Sequence, residues 1–324
     1  MLSIVGAMLG CAACGNGSTA PPWRNCDGAF ADLQPAQVPL DGVARPISVG
    51  DSLPVFRITS VEDDVESLAN RALAMACIAT DGESVGTQDW LGWADAALRD
   101  EPWESVELPG WIPSYRPRGR APSVAVRWRM ESRSPPTEGD PVGGDGAREI
   151  AGSVVARLQD HGLLPNTNYE AVHTAKQVTT SGCPGSGTCE TVVDAYSVIY
   201  AQQLGSASVL GVHILIQLEA DGVVSGIELS TVNIVAAGAT IAALSEAEAE
   251  ARYVDLAAAT WPDAEFHIET PGSVWYIAPL PGDPVDVEPV WYGSYLHVFP
   301  HAHGRPQPSW ISLSDADGPL VAVQ

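Results

Sequence analysis

The clearest pattern of hydrophobic positions lies between Ala195 and Ile234, where three β-rich runs are joined by two short linkers. One linker is Gly-Ser-Ala-Ser, and the other is Glu-Ala-Asp-Gly, which ends in the Asp-Gly pair that two-residue hairpins prefer. Runs of this kind, separated by turn residues, indicate neighbouring antiparallel strands. The pattern therefore predicts an antiparallel β-meander.

Helix-spaced apolar residues come before the meander and again after it. The segment from Arg148 to His161 predicts a helix that stops at Gly162. The segment from Ser245 to Thr260 begins with a capping box, Ser-Glu-Ala-Glu, and predicts a second helix. Strand-like runs follow it, with a hairpin turn expected at Asp315. A helix followed by an antiparallel sheet therefore occurs twice, and each helix is expected to cover one face of its sheet.

The N-terminal part begins with a predicted strand at Leu53 and a helix opened by Ser60. A single buried stripe is expected along that helix. A shorter helix opened by Thr87 follows, and a strand that begins at Ser123 closes this part of the chain. The predicted stripe consists of Val65, Leu68, Ala72 and Met75.

Four tryptophans lie close together in this N-terminal part: Trp90, Trp93, Trp103 and Trp111. Indole faces stack on sugars and cations, so one interpretation is a carbohydrate platform or an aromatic cage. The other interpretation places Trp90 and Trp93 in the short helix, with Trp103 and Trp111 covering an edge of the core. We favour the core interpretation, because the spacing of the first two residues fits the helix.

Residues 135–146 are dense in proline and glycine and indicate a linker. The predicted fold class is α+β, with an N-terminal α+β domain followed by two helix-plus-antiparallel-sheet modules. The predicted ranges are a leader at 1–14, a tether at 15–42, the N-terminal domain at 43–134, the linker at 135–146, a helix-plus-meander module at 147–240 and a last module at 241–324.

The composition is strongly acidic, with 40 Asp and Glu residues against 16 Lys and Arg residues and a formal net charge of -24. Such a surface repels phosphate backbones and anionic lipid headgroups, so we expect no nucleic acid partner. Arginines nevertheless cluster in one stretch, where they either receive an anionic partner or neutralise the chain's own carboxylates. We favour the second use. The cluster consists of Arg116, Arg118, Arg120, Arg127, Arg129 and Arg133.

The first residues form a short apolar run followed by small and flexible residues, which is typical of an export signal. The pairs Gly10-Cys11 and Ala13-Cys14 each resemble the junction cut in bacterial lipoproteins, where the cysteine receives lipid. Cys14 and Cys11 are therefore the candidate lipidation sites, and a plain cleaved signal peptide is the alternative. We expect an exported protein of the bacterial cell envelope, at its periplasmic or surface face, that contacts the membrane only through a lipid anchor.

The remaining four cysteines are an even set, which an oxidising compartment would pair. Cys183 and Cys189 close a short polar loop, so we expect a disulfide between them. By elimination Cys26 pairs with Cys77, although reduced thiols are the alternative. No Cys-x-x-Cys pair occurs among the four, so a metal site made of them is not expected.

The segment His-Val-Phe-Pro-His-Ala-His contains the best metal candidates, His297, His301 and His303. Imidazoles on an extended segment can share one face and bind zinc or copper. The neighbouring proline and glycine residues favour an exposed hairpin tip instead. We therefore expect no cofactor and no metal, with these histidines as the weak alternative.

The segment from Tyr200 to Val224 resembles the propeptide module of thermolysin-type secreted metalloproteases, in which a glutamine-bearing strand leads through a turn to a V-x-G strand and a D-G hairpin. The next unit, with A-L-S-E-A-E-A, P-V-W-Y and D-A-D-G-P-L-V-A-V, resembles the PepSY module that often follows. In that family the modules inhibit a protease domain and assist its folding. The resemblance implies a surface that binds or inhibits, and it assigns no functional residue.

No H-E-x-x-H motif occurs in the chain, so no zinc protease site is expected. We expect a non-catalytic exported protein that binds or inhibits another extracytoplasmic protein, with a protease as one such partner. Two alternatives are a structural envelope protein without a specific ligand, and a metal-dependent enzyme that uses His297, His301 and His303.

Overall fold

The computed structural model of the chain describes residues 26–31, 52–59, 64–80, 89–99, 108, 110–117, 121–128, 142–165, 168–181, 190–205, 207–242, 244–260, 265–277, 286–299, 302–303, 307–313 and 319–322. Five helices and thirteen strands lie within these ranges. The helices are α1 (Cys26–Ala31), α2 (Val65–Ala79), α3 (Trp90–Leu98), α4 (Gly143–Asp160) and α5 (Glu246–Thr260).

The strands follow the same chain order. They are β1 (Ser52–Thr59), β2 (Trp111–Arg116), β3 (Ser123–Trp128), β4 (Tyr169–Ser181), β5 (Glu190–Leu204), β6 (Ala207–Glu219), β7 (Val224–Ser230), β8 (Asn233–Ala242), β9 (Glu265–Ile277), β10 (Asp286–Phe299), β11 (Ala302–His303), β12 (Gln307–Ser312) and β13 (Val321–Ala322).

All thirteen strands are connected by hydrogen bonds into one sheet, whose longest path runs β13-β12-β10-β9-β6-β7-β3-β2. Away from this path, β5 pairs with β6 and β4, while β1 connects β8 to β10. The described pairings are antiparallel, except that β6 and β9 run parallel. Helices combined with a mainly antiparallel sheet confirm the predicted α+β fold class.

Two hydrophobic cores lie on this sheet. The first core contains α1 to α4 together with the inward-facing residues of β3, β5, β6 and β7. The second core contains α5 together with residues of β1, β8, β9, β10 and β12. Each core also takes residues from β6, with Ile214 and Ile216 in the first and Val209 and Val212 in the second.

Strand β6 changes partner along its length. Its segment from Ser208 to Leu210 pairs in parallel with β9, and its segment from His213 to Leu218 pairs with β7. Gly211 lies between the two segments and has a φ of 81°. A residue with a Cβ rarely adopts that left-handed conformation, whereas glycine does so without steric cost. Gly211 therefore allows β6 to pass from one core to the other.

Strand pairing crosses the ranges predicted from the sequence. Strand β1, from the predicted N-terminal domain, pairs with β8 and β10. Strand β3, from the same predicted domain, pairs with β7 of the meander. Helix α4 begins at Gly143, inside the predicted linker 135–146. The domain ranges remain predictions, but the sheet extends through their boundaries.

The predicted meander and the capping box predicted at Ser245 are confirmed. Strands β5, β6 and β7 are consecutive antiparallel neighbours. At the start of α5 the Glu248 backbone N–H donates to Ser245 Oγ at 3.3 Å, and the Ser245 backbone N–H donates to Glu248 Oε2 at 3.0 Å. These reciprocal hydrogen bonds are those of a capping box. The hairpin turn predicted at Asp315 lies outside the described residues.

The predicted starts of the two N-terminal helices are wrong. Asp64, not Ser60, caps α2, because its Oδ1 accepts a hydrogen bond from the Ser67 backbone N–H at 2.7 Å. Asp89, not Thr87, caps α3, because its Oδ1 accepts one from the Gly92 backbone N–H at 2.9 Å. In each case a carboxylate directly before the first turn satisfies an N–H group that the helix leaves unpaired.

Of the stripe predicted for α2, Leu68, Ala72 and Met75 are buried, but burial is not confined to one stripe. The helix packs against α1, α3, α4, β3 and β7, so several of its sides are covered. Val65, which was placed in the stripe, is only half-buried. The buried residues of α2 are Leu68, Ala69, Asn70, Ala72, Leu73, Ala74, Met75, Ala76, Cys77 and Ile78.

Substituting Gly211 by Val should lower the free energy of unfolding by roughly 1–3 kcal/mol, because a β-branched residue is strained at this φ. Denaturant unfolding of the purified chain measures the effect. The control is Gly144→Ala in α4, where a new Cβ meets no atom within 4 Å. That change should be neutral or stabilising, since alanine favours a helix. Equal stability of Gly211→Val and the wild type would contradict the role given to Gly211.

Candidate functional site

The cysteines chosen from the sequence fall into two groups. Cys26 and Cys77 form a disulfide that joins α1 to α2, with their Cα atoms 5.6 Å apart. Cys11 and Cys14, and the predicted pair of Cys183 and Cys189, lie outside the described residues. The lipidation sites and the second disulfide therefore stay predictions.

The three candidate metal ligands are only partly described. His301 lies outside the described residues, while His297 lies in β10 and His303 in β11. The register pairs His303 with Val298, the position after His297. In the described ranges no group of three His, Cys, Asp or Glu residues is placed to hold a metal ion. The site made of His297, His301 and His303 therefore remains a prediction.

The described tryptophans belong to the core. Trp90, Trp93 and Trp111 are buried, and the first two rings meet edge to face with centroids 6.3 Å apart. Trp111 packs against Trp128 with ring centroids 5.0 Å apart. Buried rings cannot receive a sugar or a cation from solvent, so the core interpretation holds for these three. Trp103 lies outside the described residues.

Two members of the arginine cluster are described. Arg127 donates from a guanidinium nitrogen to Glu228 Oε2 at 3.1 Å, and the same carboxylate accepts from Ser123 Oγ at 2.9 Å. Arg127 therefore neutralises a carboxylate of its own chain, which is the use favoured from the sequence. Arg116 is exposed at the end of β2. The other four arginines, Arg118, Arg120, Arg129 and Arg133, lie outside the described residues.

A candidate backbone for binding is that of β4, which spans 13 residues at the margin of the sheet. Among the described strands it pairs with β5 alone. Unpaired N–H and C=O groups along such an edge are ready to pair with another chain. Two apolar side chains of the strand are exposed, Val172 by 44% and Val178 by 47%.

A register shift in the β4–β5 pair explains the exposure of one of these valines, Val172. Ala171 pairs with Tyr200 and His173 with Ile199, so Val172 is skipped and has no partner position. At a second shift, between Gln177 and Val178, the extra residue is Asp194 of β5, and Val178 itself pairs with Val193. A β-bulge leaves its extra residue out of the ladder and increases the local twist. Alternation of apolar and polar residues alone does not reveal a bulge.

The start of β4 is anchored to the body. The Gln203 backbone N–H donates to the Asn168 carbonyl at 2.7 Å, and Asn168 Nδ2 donates to the Gln203 carbonyl at 3.1 Å. Arg148 of α4 donates from Nε to Thr174 Oγ1 at 2.9 Å. Burial raises the pKa of the Tyr169 phenol, so its hydroxyl stays protonated. The β4 edge is therefore presented in one position, which lowers the entropy cost of binding.

A cleft of about 530 Å³ opens between α2 and α4, two of the four helices of the first core. Its walls come from the end of α2, from one face of α4 and from the β6–β7 turn, with Trp128 beside them. The described lining residues are Ile78, Ala79, Thr80, Trp128, Ile150, Ser153, Val154, Arg157, Asp221, Gly222, Val223 and Val224.

Gly222 lets the β6–β7 turn press against α4. Its φ is 88°, and a Cβ at this position would lie 2.8 Å from Ile150 Cδ1. The position therefore requires both the left-handed conformation and the absence of a side chain. Asp221 Oδ1 accepts a hydrogen bond from the Val223 backbone N–H at 3.1 Å, which fixes the turn. The Asp-Gly signal predicted the turn, but nothing in it predicted the contact with α4.

A group of polar side chains lies where β6, β7 and β3 run side by side. His213 of β6 is opposite Ser230 of β7 and is half-buried near the Glu228 carboxylate. Burial lowers the pKa of His213, and the charge of Glu228 raises it in part. Ser230 Oγ donates to the carbonyls of Ala121 at 3.5 Å and Gly211 at 3.4 Å, so this hydroxyl is engaged with the backbone. The group stabilises the sheet and has no serine positioned as a nucleophile.

No protein-family model matches the chain, and no curated protein matches it. An uncharacterized protein from Eubacterium rectale ATCC 33656 is similar with a TM-score of 0.45 and 9% identity, over 87% of this chain and 89% of that one. The Bacillus megaterium YpeB C-terminal domain is similar with a TM-score of 0.33 and 10% identity, over 66% of this chain and 82% of that one. Both similarities are weak, and neither supplies a function.

His213 makes stability depend on pH. Its pKa in the folded chain lies below the ordinary value of 6.5, so as pH falls the unfolded chain binds the proton first. The contribution of neutral His213 to the free energy of unfolding is therefore fully present above pH 6.5. It is lost as the pH falls from 6.5 toward the lower pKa of His213 in the folded chain. Urea unfolding between about pH 7.5 and about pH 5 should show this loss.

The loss should be smaller in His213→Gln than in the wild type. The matched control is His173→Gln on the exposed part of β4, which should keep the wild-type pH dependence. Identical pH profiles for the wild type and His213→Gln would contradict the role given to His213.

Proposed function

We propose that the chain is a non-catalytic protein that works outside the cytoplasm and binds another protein by adding an extended segment of that protein to β4. The observation that carries this proposal is the β4 edge, which pairs with no described strand on its outer side and exposes two valines. Strand addition of this kind takes its affinity from main-chain hydrogen bonds and its specificity from alternate side chains.

The β4 edge has some of the protection that natural edge strands carry, namely the bulge at Val172 and two charged residues, but it has no proline. Charged side chains and prolines usually block such edges, whereas β4 contains no proline and only Glu170 and Lys176 as charged residues besides His173. Each added backbone hydrogen bond contributes about 0.5–1.5 kcal/mol net. Several such bonds along the strand, together with contacts to Val172 and Val178, are enough for a specific complex.

The charge of the chain indicates which segment would bind. A net charge of -24 attracts cationic partners and repels anionic ones at long range. Strand β4 contains the only lysine of the chain, Lys176, but also Glu170. These two opposite charges offset each other, so β4 adds little positive charge that would repel a basic segment. We therefore propose that the bound segment is basic and extended.

The place of action is part of the same proposal. The Cys26–Cys77 disulfide supports an oxidising compartment, where such bonds persist. The apolar leader supports export, with lipid attachment at Cys14 or Cys11 as the proposed anchor. Of the described helices, none is both long and apolar enough to cross a membrane.

A secreted protease is the partner class that the propeptide-like segments suggest. A propeptide module acts through its surface, and the β4 edge is such a surface in this chain. The proposal in its finer form is therefore that the chain binds or inhibits an extracytoplasmic protease. It depends on the sequence resemblance, since the solved structures that are similar supply no function.

The β4 proposal predicts that basic extended peptides selected from a displayed random library will bind the purified chain. Replacing both Val172 and Val178 by Lys should weaken their binding by about tenfold or more, because lysines on an edge oppose strand addition and repel a basic peptide. Affinity is measured by titration with each peptide. A thermolysin-type protease titrated with the same variants tests the finer form.

The matched control is the double variant Ile112→Lys and Val223→Lys, which adds the same charge at two other exposed apolar residues. It should bind like the wild type, within about twofold, after correction for net charge. If the control loses as much affinity as the β4 variant, charge alone explains the loss and the β4 edge is not the site.

A further inference from the structure

Strands β2 and β4 lie at the two ends of one run of strands, in the order β4-β5-β6-β7-β3-β2. Among the described strands β2 pairs with β3 alone, just as β4 pairs with β5 alone. We propose that the β2 edge of a second copy of this chain adds to the β4 edge, so that copies join head to tail in one continuous sheet. The inference rests on the proposed function in that both use the β4 edge, and it names a second occupant of that edge.

The directions of the two edge strands allow this addition. Five successive pairings connect β2 to β4, and each of them is antiparallel. Because five is an odd number of reversals, β2 runs antiparallel to β4. A second copy in the same orientation therefore brings its β2 antiparallel to β4 of the first copy. The alternation of the sheet then continues from one copy into the next, with the more stable kind of pairing.

The register of the sheet aligns Arg116 of β2 with Glu170 of β4 through a row of residues in which each is the Cα partner of the next. A copy placed beyond β4 along this row sets its Arg116 opposite Glu170 of the first copy. Both residues are exposed. Opposite charges that face each other across two strands stabilise the pairing. The row consists of Arg116, Ser123, Ser230, His213, Ala201 and Glu170.

Two parallel rows make the same contact compatible in shape. One row leads from Ser114 to His173, and the other leads from Ile112 to Ala175. The two edges stay in step because the β4 ladder skips Val172. Ile112 is 38% exposed, and opposite the small side chain of Ala175 it would lose contact with water. The added strand therefore buries apolar surface as well as forming backbone hydrogen bonds.

Two features limit the strength of this assembly. The net charge of -24 makes copies repel one another, so salt should strengthen self-association by screening that repulsion. Salt should instead weaken the binding of a basic peptide to the same edge. Pro113 of β2 has no N–H to donate, so β2 is a partly protected edge. A head-to-tail contact of this kind is heterologous and produces open chains of copies unless the rotation closes a ring.

Sedimentation velocity of the full purified chain in about 0.3 M NaCl, where the Debye length is about 6 Å, tests the inference. The sedimentation coefficient of the wild type should rise with protein concentration. Arg116→Glu and Glu170→Arg each place like charges opposite each other, so each variant alone should self-associate about fivefold more weakly. An equal mixture of the two variants restores opposite charges between unlike copies, and it should assemble like the wild type.

The matched control is the double variant Arg116→Glu and Glu170→Arg, which keeps the net charge of the wild type and should also assemble. Thermal unfolding verifies that each protein is folded. The inference is overturned if the wild type stays monomeric at every concentration, if the single variants assemble as well as the wild type, or if the mixture does not restore assembly. Binding of basic peptides to β4 of a monomeric wild type would leave the proposed function standing. Assembly of the wild type without any peptide binding would contradict the proposed function alone.

Discussion

This structure depends on one constraint, which is that every buried backbone N–H and C=O group needs a hydrogen-bond partner. Strand β6 shows this constraint most clearly. One side of β6 pairs with β5, and the other pairs with β7 and then with β9. The strand can serve both cores because Gly211 adopts a conformation that other residues avoid. The two helix-covered parts of the chain are therefore joined by hydrogen bonds through one strand, as well as by their linkers.

The candidate sites lie where that constraint is relaxed. At the margin of the sheet, β4 pairs with β5 alone among the described strands, a bulge leaves Val172 out of the ladder, and Val172 and Val178 are both exposed. Between α2 and α4 the helices part, and the β6–β7 turn closes one end of the gap. Both places are carried by well-packed elements, since α4 contacts β4 at Thr174 and the turn at Gly222. The proposed binding function makes use of the open strand edge.

Several features with a local chemical signal were predictable from the sequence, although the caps of α2 and α3 were not, whereas most features that depend on distant contacts, apart from the Cys26–Cys77 disulfide, were not. The Asp-Gly turn and the Ser245–Glu248 capping box act within a few residues, so the meander and the start of α5 were found. The pairing of β1 with β8 joins residues far apart in the chain and has no local mark. The exposure of Val172 depends on how β4 aligns with β5, and the cleft depends on where α4 meets Gly222. Neither relation is encoded by the spacing of apolar residues.

The most direct measurement is amide hydrogen exchange along β4, with and without a bound basic peptide. An added strand would pair with alternate backbone groups of β4, those directed away from β5. Exchange should therefore slow at every second residue between His173 and Gln177, while the amides that face β5 change little. Unchanged exchange throughout β4, with protection at β2 or around the cleft instead, would contradict the assignment of the binding site to this edge.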